Sequence, residues 1–489
     1  MFSQRPIQSL VPEVWTTATE ELAGFAAGLR FEHLPAELVT QTKQSILDTI
    51  GVALAGAGLG EDCGPIADYA AAAGHSGESS IWSSGVRVPA AQAALVNAAH
   101  ARALDYDDII LFPQIHVAAC VVPAALAVAQ SRSSMLKGSD IVAAVAVGCE
   151  VQSRLAAAIA PFFGEGLPVM LSSQVFGYFS AAAACGNLLK LEPKQMQSAF
   201  GLALMHAAGT QEMVVHAPDS VGKCLYAGLS NQGGVQSAMM SSHGVVARGE
   251  PLTGEAGLFN AYYHGEYDGA ALTSDLGSQF RSTDRCIKAM PGTLVSHAFA
   301  EAALSLMQEH KLAARHIERV HLHVGPWGKV MCEPAEMRRH PPSASAAMNS
   351  IPFIVAKAIV NGRISLGDFQ DQGRSQPAAL AMASRIDHVV DRALAAPRGL
   401  EPGVVDFMLT DGRTLRQRVD APQGHPARPI STEGVVAKFR TNAGYAKRPR
   451  SDAAVERLVD RVMSLDRIDD VGALFDAFEQ HENKNKGVS

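Results

Sequence analysis

The chain has 489 residues, of which 47% are hydrophobic and 18% charged, so it can bury a sizeable core and is not intrinsically disordered. Its formal net charge of −7 and its aromatic content of 6% argue against a nucleic-acid-binding protein, which would normally show a basic face and aromatic stacking platforms. The length predicts about two or three domains.

The cysteine pattern and the apolar stretches favour a reducing, aqueous location. The seven cysteines are scattered and never spaced as C-x-x-C, so neither a disulfide framework nor a zinc ribbon is indicated. The first residues lack the apolar run of a signal peptide. We take residues 117–129 as the longest apolar stretch; it contains Pro123 and is shorter than the roughly 20 residues of a membrane span. We therefore expect a cytoplasmic protein that does not cross a membrane.

From Thr17 to about Gly257, apolar residues recur at the spacing of helices. The first long pattern opens at Pro35 and is expected to end at Gly56. Several later patterns are apolar on all sides and rich in alanine and glycine, which is typical of helices inside a bundle. The Gly233-Gly234 pair indicates close helix packing rather than a nucleotide loop. The remaining predicted helices cover about 88–105, 117–131, 138–159, 174–190, 194–207 and 223–243.

After about Asp275 the pattern changes. Residues 316–324 alternate apolar and polar side chains, which predicts a strand, and residues 407–419 predict a hairpin that turns at Asp411-Gly412. Helices are expected at about 295–310, 345–361 and from Thr432 to about Phe478. The prediction is a mainly α protein: a large all-helical domain and a smaller α+β lid domain. The helical domain is expected to comprise residues 1–274 plus 430–489, and the lid residues 275–429.

A dense polar cluster lies at the end of the helical pattern at about 88–105. Asp105, Asp107 and Asp108 fall within four residues, and His116 comes about ten residues after the first of them. A carboxylate and a histidine at this separation could share a pocket as general acid and base. In the alternative interpretation, Asp107 and Asp108 solvate a loop and cap the next helix. No further His or carboxylate recurs at metal-ligand spacing, so no metal site is predicted.

Two lysines and a histidine are further candidates. Lys223 enters an Ala/Gly-rich helix, where the positive helix end would add to its attraction for anions; the alternative is a lysine whose stem reaches water. Lys288 precedes the Pro291-Gly292 turn where the two predicted domains should meet, and such junctions are preferred ligand sites. His297 could face the same cleft, although a lone histidine on a helix is more often structural.

Motifs of three common enzyme classes are missing from the sequence. There is no G-x-G-x-x-G after a strand, no G-x-x-x-x-G-K-[ST] and no G-x-S-x-G. Hydride transfer, ATP chemistry and serine hydrolysis therefore lack their expected marks.

Taken in order, several segments resemble the MmgE/PrpD family, which includes 2-methylcitrate dehydratases, cis-aconitate decarboxylases and iminodisuccinate epimerase-like proteins. The similarity extends from about residue 20 to 475. It is carried by residues 47–56, 97–108, 148–154, the helix from Lys223, 254–259, 287–291, 349–356 and 438–443.

The resemblance implies a helical domain closed by an α+β lid, a homodimer, and no requirement for a metal or redox cofactor. Family members eliminate water or carbon dioxide from small di- and tricarboxylates, or epimerise them. The resemblance places the active-site aspartate on Asp105, the following histidine on His116, and the two lysines on Lys223 and Lys288.

The sequence also departs from the family pattern. Arg102 stands where a histidine is common, Ile109 where a threonine usually follows the aspartates, and one extra residue separates the aspartates from His116. The His-Pro pair is replaced around Met170, and the lid tyrosine of the decarboxylases is absent near Val330. Arg102 could clamp a substrate carboxylate through its planar guanidinium, with a structural salt bridge as the alternative.

The sequence therefore predicts a cofactor-independent lyase acting on a small carboxylate, with no other partner than a second copy of the chain. Asp105 or His116 would exchange the proton, and Lys223 and Lys288 would hold carboxylates. Arg102, Tyr226 and His297 are the candidates for substrate binding. The alternatives are an isomerase or epimerase that uses the same proton abstraction, and a non-catalytic carboxylate-binding homologue.

Overall fold

The computed structural model describes residues 17–74, 77–162, 169–213, 222–396 and 399–479. The chain forms two compact units. The first comprises Met1–Ala103, Asp107–Arg285 and Ser431–Ser489, and the second comprises Leu104–Tyr106 and Cys286–Ile430. The expected fold class, mainly α with a smaller α+β part, is confirmed.

The first unit is built from helices, with only two-residue strands among its described residues. The helices before residue 285 are α1 (Ala18–Gly28), α2 (Ala36–Leu59), α3 (Cys63–Ala72), α4 (Ala90–Arg102), α5 (Val122–Ser131), α6 (Gly138–Ile159), α7 (Ser172–Leu188), α8 (Pro193–His206), α9 (Gly222–Ser242), α10 (Leu258–Tyr263) and α11 (Ala270–Thr273). The strands are β1 (Ser79–Ser80), β2 (Arg87–Val88) and β3 (Ile109–Ile110), and β1 pairs with β2 in antiparallel orientation. A further short strand, β4 (Arg285–Cys286), lies where the chain passes from the first unit to the second.

Small residues set the spacing of the central helices. A Cβ atom on Gly234 of α9 would lie 2.4 Å from the Cβ of Ala181 on α7, and one on Gly177 of α7 would lie 2.7 Å from the Oγ of Ser230 on α9. Real Cβ atoms do not approach this closely, so the glycines allow the backbones of α7 and α9 to come together. The sequence-based interpretation of Gly233-Gly234 as a packing feature is confirmed.

The prediction that Gly56 ends the helix that opens at Pro35 is wrong. Helix α2 continues to Leu59, and Gly56 lies inside it. A Cβ atom on Gly56 would lie 2.0 Å from the carbonyl oxygen of His100 on α4. Glycine is therefore required here by the close approach of two helices, and a packing glycine inside a helix looks like a terminating glycine in the sequence.

Among the described residues, one helix, Gly138–Phe162, is long and apolar enough to cross a membrane by length and composition, but 94% of its most apolar window is buried inside the protein. It is longer than the stretch 117–129 that we took as the longest apolar segment, and the charged residues in its middle are themselves buried. The Glu150 carboxylate pairs with the Arg154 guanidinium at 2.7 Å, and both side chains are fully buried. This is the behaviour of a core helix in a folded protein.

The buried pair on α6 anchors residues 272–282, which precede the passage of the chain into the second unit. Glu150 accepts hydrogen bonds from the backbone N–H groups of Arg281 and Ser282, and Arg154 donates to the carbonyl groups of Leu272, Ser274 and Gln279. Both charges are thus compensated by hydrogen bonds, as buried charges require.

The second unit combines a four-stranded sheet with helices. Its helices are α12 (Leu294–Glu309), α13 (Pro326–Val330), α14 (Ala335–Arg339), α15 (Ala344–Met348), α16 (Ile351–Asn361), α17 (Asp371–Arg374) and α18 (Pro377–Ala383). Its longer strands are β5 (Ile317–Val324), β6 (Ile386–Val390), β7 (Gly403–Leu409) and β8 (Thr414–Val419), in the order β6-β5-β7-β8. Strand β5 is parallel to β6 and antiparallel to β7.

The predicted strand at 316–324 and the predicted hairpin are confirmed, the latter as β7 and β8 around Gly412, whose φ is +85°. The single helix expected at 345–361 is divided into α15 and α16. The division falls at Ser350, whose hydroxyl accepts a hydrogen bond from the backbone N–H of Phe353 and so caps α16.

The last helices, α19 (Thr432–Ala443), α20 (Asp452–Met463) and α21 (Gly472–Glu479), belong to the first unit. The ammonium of Lys438 on α19 lies 2.7 Å from the carboxylate of Asp48 on α2, and both side chains are almost completely buried. The C-terminal segment is thereby tied to the beginning of the chain.

Candidate active site

Four side chains of the first unit meet at the end of α4. Arg102 is the last residue of α4, Asp107 and His116 lie in the loop that leads to α5, and Tyr226 lies in the first turns of α9. Arg102, Asp107 and Tyr226 are each less than 8% exposed, and His116 is 9% exposed. Three of the four, Arg102, His116 and Tyr226, are among the residues predicted from the sequence, whereas Asp107 is not and had solvation of a loop as one interpretation.

Asp107 holds two partners with its two carboxylate oxygens. Oδ1 lies 3.3 Å from Nη1 of Arg102, and Oδ2 lies 2.9 Å from Nδ1 of His116. Asp107 is fully buried, so the interpretation that it solvates a loop is wrong for this residue. A buried carboxylate is tolerated because a cation and an N–H donor compensate it.

Arg102 uses each of its three guanidinium nitrogens inside the protein. Nε donates to the hydroxyl of Tyr226 at 2.5 Å, Nη1 to Asp107, and Nη2 faces Nε2 of His116 at 3.0 Å. The guanidinium carbon also lies 5.5 Å from the centre of the Tyr226 ring, within the range of a cation–π interaction. Burial raises the pKa of Tyr226 well above its usual value, so its hydroxyl keeps its proton.

These contacts define the protonation of His116. A guanidinium can only donate hydrogen bonds, so Nε2, which faces Arg102, must accept. The ionised carboxylate of Asp107 can only accept, so Nδ1 must carry the proton. This hydrogen-bond pattern assigns the proton of His116 to Nδ1 and the lone pair to Nε2.

The backbone of His116 is also fixed. Its N–H donates to the hydroxyl of Ser173, and its carbonyl accepts from Nε2 of Gln152 at 2.8 Å. The hydroxyl of Ser180 in turn donates to Oε1 of Gln152. Ser173 and Ser180 belong to α7 and Gln152 to α6, so two core helices position the histidine. Sequence reasoning missed these supports because their partners are far away in the chain.

Asp108 has a different environment from its neighbour. Oδ1 accepts from the backbone N–H of Ala118 at 2.8 Å, and Oδ2 lies 3.4 Å from Nη1 of Arg285. Asp108 thus holds the backbone four residues before α5 rather than the first turn of that helix, and it is buried rather than solvated. Burial raises the pKa of this carboxyl, and the nearby Arg285 guanidinium opposes that rise.

Asp105 and Lys288 form a second pair, within the second unit. The Lys288 ammonium, 1% exposed, lies 2.6 Å from Oδ1 of Asp105 and 2.7 Å from the backbone carbonyl oxygen of the same residue. Asp105 adopts a left-handed backbone conformation with φ of +48°, which is uncommon for a non-glycine residue and is often found at functional sites. The hydroxyl of Tyr106 donates to the carbonyl of Ala289, close to Lys288 in the chain.

The remaining predicted residues are placed as follows. Lys223 lies at the beginning of α9 with a half-buried side chain, three residues before Tyr226. His297 is completely buried in α12 of the second unit. The roles predicted for all seven site residues stay predictions. Among the described residues, no group of three or more His, Cys, Asp or Glu side chains is placed to hold a metal ion.

The departures from the family pattern lie in different environments. Ile109 is 4% exposed, so an apolar side chain occupies a buried position beside the carboxylates. Met170 pairs its backbone with that of Thr210 at the entrance to α7. Val330, at the end of α13 in the second unit, is 43% exposed.

Comparison with known proteins identifies the family. The model of the MmgE/PrpD N-terminal domain matches residues 20–269, and that of the MmgE/PrpD C-terminal domain matches residues 290–465. The chain belongs to the MmgE/PrpD family. The resemblance stated from the sequence is therefore confirmed.

The relatives of this MmgE/PrpD protein include cis-aconitate decarboxylases. That of Mus musculus is 27% identical over 94% of this chain and 92% of its own length, and that of Homo sapiens is 27% identical over 93% of each chain. The cis-aconitate decarboxylase of Aspergillus terreus is 24% identical over 94% of this chain and 95% of its own length.

Proposed function

We propose that this protein is a lyase that removes water or carbon dioxide from a small di- or tricarboxylate by proton transfer at a carbon next to a carboxylate. The observation that carries the proposal is the contact of 2.9 Å between Nδ1 of His116 and the fully buried carboxylate of Asp107. The names of the relatives support the same class of reaction and substrate.

His116 has the arrangement of a general base. Its Nε2 lone pair can take a proton, and the Asp107 carboxylate can then stabilise the imidazolium that results. Asp107 also prevents the ring from turning, because rotation would break the 2.9 Å contact to Nδ1. In this proposal His116 moves the proton, and Asp107 orients the imidazole ring of His116.

The second unit holds a candidate for charge stabilisation in Lys288, which is paired with Asp105. Elimination next to a carboxylate builds negative charge on an enolate-like transition state, which cations stabilise. The Lys288 ammonium is buried and already held by Asp105, so it is pre-positioned and needs little reorganisation. We assign Lys288 to the binding of a substrate carboxylate.

The two eliminations place different demands on these groups. Dehydration begins with removal of a carbon-bound proton, for which the Nε2 lone pair of His116 is suited. Decarboxylation instead leaves an electron pair on carbon and requires a proton donor, a role open to the Lys288 ammonium. Because the relatives are named cis-aconitate decarboxylases, cis-aconitate is the first substrate to test.

The experiment is proton NMR of the purified protein in deuterated water with cis-aconitate, citrate and 2-methylcitrate. We expect either a new unsaturated product with release of carbon dioxide, or the olefin that forms on loss of water. Deuterium entering recovered substrate without net loss would assign the protein to the isomerases instead. Binding without turnover or exchange for any of these acids would contradict the proposal and favour a non-catalytic homologue.

A pair of lysine variants tests the assignment of Lys288. Lys357 is also 1% exposed in the second unit and donates to the carbonyl of Gly373 and to Gln376, but it belongs to none of the predicted site positions. We expect Lys288→Met to reduce turnover by roughly 100-fold or more, as loss of a charge-stabilising group does. Lys357→Met should cost stability but retain turnover per folded molecule. Equal activity loss in both variants would contradict the assignment.

A further inference from the structure

We infer that Arg102 is a positioning residue that, together with Asp107, fixes the tautomer and the orientation of His116. The inference rests on the proposed function, in which His116 exchanges the proton. It assigns Arg102 a role different from the carboxylate clamp suggested by its side-chain chemistry.

The first argument is that each guanidinium nitrogen of Arg102 contacts a side chain of the first unit. Nη2 contacts Nε2 of His116, Nη1 contacts Asp107, and Nε contacts Tyr226, at 3.0, 3.3 and 2.5 Å. Arg102 is only 4% exposed. A clamp would direct its paired N–H groups at a substrate, whereas these nitrogens are directed at side chains of the same unit.

The second argument is that Arg102 and Asp107 act on opposite nitrogens of one ring. Asp107 accepts from Nδ1, and Arg102 donates to Nε2, so the proton is held on Nδ1 and the lone pair on Nε2. The guanidinium also compensates the charge of the buried Asp107 carboxylate. Arg102 thus directs the proton of the ring to Nδ1 and leaves the Nε2 lone pair available for a substrate proton once Nη2 gives way.

The third argument is that lysine could not replace arginine here. An ammonium is a point charge on a flexible stem, while the planar guanidinium presents donors along several fixed directions. Three separately placed acceptors, the Tyr226 hydroxyl, Asp107 and His116, match the second geometry. The hydroxyl of Tyr226 fixes the guanidinium group at its Nε.

The test compares Arg102→Lys with Arg285→Lys. Both parent arginines are buried and pair with neighbouring aspartates, Asp107 and Asp108, but only Arg102 has a contact with His116. The first readout is the ¹⁵N spectrum of the imidazole of His116, assigned by its loss in His116→Gln. We expect the neutral Nδ1–H form in the parent and in Arg285→Lys, and a mixture of tautomers or the imidazolium in Arg102→Lys.

The second readout is steady-state kinetics on the substrate that the NMR screen identifies. We expect kcat of Arg102→Lys to fall by roughly 100-fold, at the lower end of what a positioned acid–base group contributes, with KM within about threefold of the parent. A substrate clamp would show the opposite division, with KM rising most. Thermal unfolding establishes that each variant is folded.

The outcomes separate this inference from the proposed function. A parent-like imidazole spectrum in folded Arg102→Lys overturns the inference whether or not the protein turns over a carboxylate. A change of KM alone also overturns it, in favour of the clamp. If no carboxylate reacts but the imidazole spectrum changes as expected, the proposed function fails while the positioning of His116 by Arg102 is supported.

Discussion

A single amide-for-carboxylate exchange at Asp107 tests the central hydrogen-bond pattern. The carboxylate accepts from both Arg102 and His116, whereas the amide of asparagine can accept on one side only. In Asp107→Asn, the amide NH₂ must face either a guanidinium that only donates or a protonated Nδ1. We expect kcat to fall by roughly 10² to 10⁴, measured per folded molecule by active fraction and thermal unfolding. A loss of less than about threefold would show that the tautomer of His116 does not limit the reaction.

The same residue shows the limit of reading single side chains from the sequence. Asp105, His116 and Lys288 were selected because carboxylate, imidazole and ammonium groups carry acid–base chemistry. The role of Asp107 could not be separated from that of Asp108, because two adjacent aspartates look alike until their partners are known. Those partners, Arg102 and Arg285, lie at very different distances along the chain.

At the scale of elements, the contact between α2 and α4 depends on Gly56. A methyl group there would meet the carbonyl oxygen of His100, a backbone atom that can move only if the helix moves. We expect Gly56→Ala to lower the free energy of unfolding by roughly 2–3 kcal/mol, although alanine is the better helix former. The measurement is chemical denaturation.

A matched control for this packing is Gly64 on α3. A Cβ atom on Gly64 would meet nothing within 4 Å, so Gly64→Ala should gain up to about 1 kcal/mol from helix propensity alone. Opposite signs for the two variants would confirm that the helix spacing, rather than glycine content, is what Gly56 provides. Stabilisation by both would contradict it.

The helical periodicity and the strand alternation predicted the main elements, because those patterns are local. The α2 terminus and the break between α15 and α16 were not predicted correctly. The first depends on the backbone of α4, which approaches Gly56 from 44 positions further along the chain. The second depends on the capping hydroxyl of Ser350, which is an ordinary polar residue in the sequence. Such features become visible only when the elements are packed.

At the scale of the whole molecule, two buried groups of the first unit give opposite pH dependences. Burial raises the pKa of Asp48 from 3.8 to about 6, despite the nearby Lys438 ammonium. Burial lowers the pKa of His100 from 6.5 to about 4, despite its hydrogen bond to the carbonyl of Cys63. Between about pH 4 and 6 the folded protein thus binds more protons at Asp48, and fewer at His100, than the unfolded chain does.

Asp48 therefore contributes stability that is fully present below pH 3.8 and is lost as the pH rises through 6. His100 contributes stability that is present above pH 6.5 and is lost as the pH falls through 4. Each term amounts to about 3 kcal/mol, since one unit of pKa difference corresponds to about 1.4 kcal/mol. In the parent protein the two terms nearly cancel across this window.

Replacing either residue should make the pH dependence that the other contributes to the free energy of unfolding measurable. In Asp48→Asn, the free energy of unfolding should fall by about 2 kcal/mol more than in the parent when the pH is lowered from 6 to 4, which is the part of the total effect that falls inside this window. In His100→Asn, it should fall by about 2 kcal/mol more than in the parent when the pH is raised from 4 to 6. Urea denaturation at intervals across this range gives both slopes, and the contributions of all other groups cancel in the difference from the parent. Parallel curves for the parent and Asp48→Asn would mean that Lys438 keeps Asp48 ionised throughout, and the link between α2 and α19 would then be a permanent ion pair rather than one that titrates.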